Sequence, residues 1–243
     1  MEESKDAFGK LLLDYYQGKN GLYILEREDN YVEVCNADVY FSKYKDWSDL
    51  EKKSIRYAKG QILDIGCGVG RHSLYLQQKG YNVLAIDNSP LAVEVCKMRG
   101  VKNTKISSSS NLNFQKNSYD TVLLLGGNFG LGGTPEGTNK MLKQLHNTVK
   151  PEGIIIASSR DPTKTTDPYH LNYHEFKRKR KEPIGQIRMR VRYKSYIGDW
   201  FNYLFVTPNE MEKMAKETGW KIKSIFKPEQ RKAGGYIAIL KKN

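Results

Sequence analysis

Ile62-Leu63-Asp64-Ile65-Gly66-Cys67-Gly68-Val69-Gly70-Arg71 decides how this chain folds. Gln61 to Ile65 reads as a short buried strand, and the three glycines that follow at alternate positions let the backbone turn tightly with no Cβ in the way of a ligand. Arg71 to Lys79 then carries helical spacing, with Gly80 as the stop. A strand, a glycine-rich turn and a helix N-terminus make a nucleotide-type cradle.

The details of the cradle narrow its ligand. The dinucleotide fingerprint is G-x-G-x-x-G with an acid about twenty positions on. Here the spacing is G-x-G-x-G, and Arg71 stands where the third glycine would let helix and strand pack closely. Asp64 puts a carboxylate two residues before the first glycine, where it would repel a pyrophosphate but suit an ammonium group. S-adenosylmethionine has an amino-acid tail, a cationic sulfonium and no phosphate. The next strand, Asn82-Val83-Leu84-Ala85-Ile86-Asp87, ends in an acid placed to accept both ribose hydroxyls, and Asn88-Ser89-Pro90 caps the following helix.

Asp64-Ile-Gly-Cys-Gly-Val-Gly70 followed by Ala85-Ile-Asp87 resembles the class I S-adenosylmethionine-dependent methyltransferases. The resemblance implies a doubly wound α/β fold with a seven-stranded, Rossmann-like sheet, and methyl transfer from S-adenosylmethionine. For the cofactor it points to Asp64, Gly66, Cys67, Gly68, Asp87, Asn88, Ser109, Leu125 and Gly126, with Tyr16 facing it from an N-terminal lid. Relatives often place an aspartate in the loop after the third strand to hold adenine; here the loop Ser107 to Phe114 offers serines, of which Ser108 or Ser109 is the candidate.

Composition bounds the rest. At 243 residues and 39% hydrophobic content the chain supports one α/β domain with elaborations. No apolar run approaches the roughly 20 residues of a membrane helix, and the start Met1-Glu-Glu-Ser-Lys-Asp lacks signal-peptide character, so a cytoplasmic protein is expected. Three cysteines without metal spacing indicate neither a disulfide framework nor a metal site. The net charge of +13 invites a phosphate partner, but lysines are spread over nearly every segment; the one dense run, Lys177 to Lys181, is placed in a loop.

In chain order, residues 1–58 supply a helix over 5–16, a hairpin of Tyr23 to Leu25 with Tyr31 to Val34, and a helix over 46–58; residues 59–243 form the methyltransferase domain. Strands follow at 101–106, 119–125 and 154–159, with a helix from Thr134-Pro135 to Val149, a capping box at Thr207-Pro208-Asn209-Glu210, and a closing pair at 221–226 and 236–240. The fourth strand runs into Gly126-Gly127-Asn128-Phe129; Asn128 lacks the prolines that base-methylating enzymes carry there.

Residues 161–206 form an insertion far longer than the usual connection of about 2–6 residues. Gln186 to Lys194 alternates strictly, with Ile187, Met189, Val191 and Tyr193 on one face and Arg188, Arg190, Arg192 and Lys194 on the other. Tyr196 to Asp199 reads as the turn and Trp200 to Val206 as the partner strand, giving an antiparallel hairpin over the methyl donor. Arg190, Arg192, Trp200 and Phe201, with Asn128, are the candidate acceptor contacts. His170 and His174 are the candidate bases, since methyl transfer is an in-line displacement that sometimes requires removal of one proton. A small-molecule acceptor, anionic or aromatic, is the leading expectation; an RNA acceptor and a non-catalytic cofactor-binding protein are the alternatives.

Overall fold

The computed structural model describes residues 5–228 and 234–243. The reading of the first four residues lies outside them. In chain order the elements are α1 (Ala7–Tyr16), β1 (Leu22–Arg27), β2 (Val32–Asn36), α2 (Asp38–Phe41), α3 (Asp49–Ile55), β3 (Gln61–Ile65) and α4 (Arg71–Gln78). β4 (Asn82–Asp87), α5 (Pro90–Met98), β5 (Asn103–Ile106), β6 (Tyr119–Leu124), α6 (Pro135–Thr148) and β7 (Val149–Arg160) follow. The chain closes with α7 (Pro168–Lys179), β8 (Gln186–Tyr193), β9 (Tyr196–Ile197), β10 (Phe201–Leu204), α8 (Pro208–Glu217), β11 (Trp220–Phe226) and β12 (Gly235–Lys242).

The main sheet has seven strands in the order β11-β12-β7-β6-β3-β4-β5. The pairs β4/β5 and β6/β7 are parallel, whereas β12 runs antiparallel to both β7 and β11. This is the expected seven-stranded α/β sheet with its reversed last strand. A second sheet has the order β10-β8-β1-β2, with β9 on β8. The insertion strand β8 therefore pairs with the N-terminal hairpin, Ile24 opposite Arg192 and Arg27 opposite Met189.

The contacts divide the chain into two compact units: residues 1–47, 63–109 and 188–201, and residues 48–62, 110–187 and 202–243. In the first unit α1 buries Ala7, Leu11 and Leu12 against Ala92 and Val95 of α5, with Tyr23, Val191 and Tyr193 completing the cluster. These are the helical and alternating apolar positions of the sequence. The start of α5 is tied down by Asp6, whose Oδ2 accepts the Ser89 hydroxyl at 2.7 Å, while Ser89 Oγ caps the helix through the Ala92 amide. In the second unit Trp220 is fully buried and its Nε1 donates to Leu142 O at 3.1 Å. The capping box at Thr207 and Glu210 starts α8, and a second one, Ser48 with Glu51, starts α3 later than the sequence suggested.

Four local expectations need correction. The segment after residue 161 is not all loop: Asp167 caps α7, Pro168 takes its first position, and Lys177 to Lys179 form the helix's last turn. Cations there face the negative end of the helix dipole, which favours their clustering. The turn expected at 196–199 is instead β9, and the chain reverses at Lys194-Ser195 with Lys194 at φ 53°. The third strand begins at Asn103, since Val101 is spent on a buried cluster with Ala85 and Cys96. Lys150 to Gly153, between the helix ending at Val149 and the strand expected at 154–159, are part of the long β7, beside an irregularity in its pairing with β6. Among the described residues, no helix is long and apolar enough to cross a membrane.

Candidate functional site

In the first unit the glycine loop leaves β3 and enters α4 with Gly66, Gly68 and Gly70 all at positive φ, 70°, 54° and 75°. Only the absence of a Cβ makes three such residues cheap within five positions. The two outer glycines are held by the frame: the amides of Gly66 and Cys67 both donate to Ile86 O, at 2.9 and 3.0 Å. A Cβ on Gly70 would lie 2.6 Å from Cys96 Sγ and 2.8 Å from Val101 Cγ2. Gly70 therefore does the close packing that the dinucleotide fingerprint assigns to its third glycine, one position before Arg71. Gly68 differs, because a Cβ there would meet nothing within 4 Å. Its outer side is open space rather than packed protein.

Two carboxylates fix this loop. Asp64 is 2% exposed and its Oδ2 accepts the Ser73 hydroxyl at 2.6 Å, which ties the end of β3 to the first turn of α4. Asp87 is 9% exposed; its Oδ2 accepts the Gly68 amide at 2.9 Å and its Oδ1 the Ser89 amide at 3.0 Å. Each oxygen retains acceptor capacity after one such bond. Burial pushes both carboxyls up; His72, Ser73 and Arg71 offset this at Asp64, as the amides of Ser89 and Gly68 do at Asp87. The neighbouring cations are engaged with other groups: Arg71 donates to Ser42 Oγ at 2.7 Å, and Arg99 to Val69 O at 2.6 Å.

The remaining cofactor candidates divide. Asn88 is exposed and Ser109 half-buried, both within the first unit. Tyr16, at the end of α1, is exposed and donates to Met98 O at 3.3 Å, while Tyr15 packs on Phe41 at 4.8 Å between ring centroids. Cys67 is a half-buried free thiol. Leu125 and Gly126 belong to the second unit, where Leu125 is buried and Gly126 and Gly127 take φ 77° and 93°. The Gly127 amide donates to Ser158 Oγ at 2.7 Å, and the Tyr203 hydroxyl donates to Asn128 Oδ1 at 3.0 Å. Asn128 is thus part of a loop braced by Tyr203, a partner that sequence spacing gives no sign of.

The acceptor candidates on β8 are compensated by a residue the sequence reading passed over. Arg190 donates twice to Glu26, Nε to Oε2 and Nη2 to Oε1, each at 2.9 Å, and Arg192 Nη1 reaches Oε2 at 3.3 Å. The Arg190 bonds hold the Glu26 carboxyl below its ordinary range, with Arg192 adding to them. Arg190 also lies 4.6 Å over the Trp200 ring. The sequence signal for Glu26 was an acid on an amphipathic strand, legible only once β1 and β8 are known to pair. Phe201 remains 40% exposed.

The two histidines lie four residues apart on α7 in the second unit. His174 is 6% exposed, and His170, with a side chain 37% exposed, has Nε2 3.9 Å from Asp167 Oδ2. Lys177, read as a solvated loop cation, is 1% exposed and paired with Glu182 at 2.6 Å. Among the described residues no cluster of histidine, cysteine and acidic side chains could hold a metal ion.

Comparison with known proteins agrees with this geometry. Residues 62–153, which span the glycine loop to the start of β7, match a methyltransferase domain. The crystal structure of a SAM-dependent methyltransferase from Bacteroides fragilis, in complex with S-adenosyl-L-homocysteine, superposes with a TM-score of 0.84 at 28% identity, covering 100% of this chain and 97% of that one. The chain is 29% identical over 66% of its length to a ubiquinone biosynthesis O-methyltransferase of Rickettsia conorii, and 26% identical over 62% to a tRNA (uracil(54)-C(5))-methyltransferase of Pyrococcus horikoshii. It spans only 54% and 37% of those two proteins.

Proposed function

On the premise that the chain carries a methyltransferase domain set in the class I S-adenosylmethionine-dependent methyltransferase fold, we propose that it transfers the methyl group of S-adenosylmethionine to a small aromatic acceptor. The observation that carries the donor is the open face at Gly68 between two buried carboxylates. Asp87 is held by two amides in an orientation that leaves lone pairs for a ribose diol. Asp64 is a buried charge that a nearby ammonium would compensate, and Arg71 and Arg99 are engaged with Ser42 Oγ and Val69 O. The bound donor supplies a methyl carbon already activated by its sulfonium. The chain's own task is to hold that carbon in line with the acceptor, exclude water and take up a proton where the acceptor atom keeps one. For that proton His170 is the candidate, since His174 is enclosed by packing.

An aromatic rather than an anionic acceptor is favoured because Glu26 already satisfies Arg190 and Arg192, whereas Phe201 keeps a free face. The similarity to an O-methyltransferase of ubiquinone biosynthesis supports a small acceptor. A second reading, an RNA acceptor, draws on the similarity to a tRNA methyltransferase and on the net charge of +13. The test is to supply methyl-labelled S-adenosylmethionine with a fractionated cell extract. Label in the low-mass organic fraction is expected; label that stays with RNA and is released by ribonuclease would replace the first reading by the second.

A further inference from the structure

At the amino end of β7 the second unit contains a cavity of about 510 Å³ whose lining includes Lys59, His146, Lys221, Lys223, Lys241 and Lys242. We propose that it is a binding site for a ligand carrying two or more adjacent phosphates. The inference does not rest on the identity of the methyl acceptor.

The lysines are brought together by the fold, not by sequence. Lys221 of β11 stands directly opposite Lys241 of β12 in the antiparallel ladder. Like charges at that position cost stability unless an anion lies between them. Lys242 is held in place by donating to Val149 O at 2.5 Å, and Lys223 sits 5.7 Å over the Tyr57 ring. Among the described residues none of the five lysines is ion-paired with a carboxylate; Asp120 is taken by Lys150, and the lining's acidic side chain, Glu152, is exposed. Burial and the neighbouring cation Lys116 push the Lys242 ammonium down, and burial together with Lys242 does the same to His146.

The chemistry of the lining selects the ligand class. Trp220 packs edge-on to His146 but is fully buried, so among the described lining residues His146 carries the aromatic ring and the lysines outnumber it. Lysine ammoniums bind phosphate as movable point charges, and several around one concavity match a polyphosphate better than a single small anion. Ligands of doubly wound sheets occupy the carboxyl ends of the strands, whereas this pocket opens at the other end of β7.

Calorimetric titration of the intact chain with inorganic tripolyphosphate should show saturable binding that the Lys221→Ala/Lys241→Ala variant weakens by at least about tenfold, two charge-assisted contacts being lost. Both lysines are exposed, so the variant keeps its fold, checked by an unchanged or raised melting temperature. Equal binding by the variant, or heats reproduced by sodium chloride at matched ionic strength, would overturn the site. A single-stranded RNA oligonucleotide then tests the spacing: failure to displace tripolyphosphate supports adjacent phosphates, and displacement at lower concentration would overturn them in favour of a nucleic-acid backbone, whose phosphates are separated by sugars.

Discussion

The Gly68 amide donates to Asp87 Oδ2 at 2.9 Å, joining the tip of the glycine loop to the end of the neighbouring strand. The same carboxylate therefore shapes the cradle, and under the proposed function it would also meet the ligand, so loop geometry and donor affinity should be coupled through one residue.

Gly68 and Gly70 should separate packing from binding. Gly70→Ala combines a left-handed backbone with contacts of 2.6 and 2.8 Å to Cys96 and Val101, and should cost about 2–5 kcal/mol in urea denaturation. Gly68→Ala meets no protein atom within 4 Å, so its stability cost should stay near the roughly 1–2 kcal/mol of the backbone alone, while S-adenosylmethionine affinity falls steeply. Equal effects of the two on stability would show that the outer side of Gly68 is not open.

Lys177, Lys179 and Lys181 should not behave as one basic run. Lys177→Ala removes a fully buried stem packed on Tyr173 and Phe176 and one of the two cations on Glu182, the other being Arg180, and should destabilise by about 2–4 kcal/mol, whereas Lys179→Ala/Lys181→Ala should stay within about 0.5 kcal/mol. The double variant is the clean probe of RNA contact, and under an aromatic small-molecule acceptor its methyl transfer should match the unaltered chain.

Asp14 should give an acid-limb signature. It is buried and accepts Lys10, Lys19 and Lys194 at 2.8, 2.9 and 2.7 Å and the Tyr193 hydroxyl at 3.2 Å. Burial pushes its carboxyl up, but these bonds outweigh that and hold it well below the usual range. The folded state thus gives up the proton at lower pH than the unfolded state, so the contribution is complete above about pH 4 and is lost as pH falls toward the depressed value. Asp14→Asn should cost about 1–2 kcal/mol at pH 7, discounted for the partly exposed lysines, and should flatten the stability profile between about pH 4 and 2. An unchanged slope there would assign the acid limb to other carboxylates.

Arg190→Ala should act on the sheet before it acts on an acceptor. Losing the two-point pair with Glu26 and the cover over Trp200 should lower the melting temperature measurably. Acceptor KM should move less than twofold once the folded fraction is corrected for. A tenfold rise in KM at unchanged stability would return the arginines to the acceptor pocket.

The main sheet was legible because each parallel strand announces itself locally: an apolar run, then Gly66, Ser89-Pro90 or Thr134-Pro135 to start the helix. Asp64 and Asp87 stood out as acids where buried strands should be apolar. What stayed hidden was non-local. Glu26 and Arg190 are 164 positions apart, and no period in either strand states that β1 and β8 pair. Lys177 looked like surface because composition cannot distinguish a lysine at a helix end from one whose stem is buried on Tyr173 and Phe176. Tyr203 bracing Asn128 and Lys221 facing Lys241 are likewise products of register.

The central claim is that the Asp64 to Asp87 cradle binds S-adenosylmethionine. Isothermal titration of the intact chain and of Asp87→Ala with S-adenosylmethionine, with circular dichroism confirming the fold of both, tests it directly. Saturable binding at one site by the intact chain, weakened at least about tenfold in the variant through loss of the ribose bonds and the Gly68 tether, is the predicted result. No binding by the folded intact chain, or undiminished binding by folded Asp87→Ala, would contradict it.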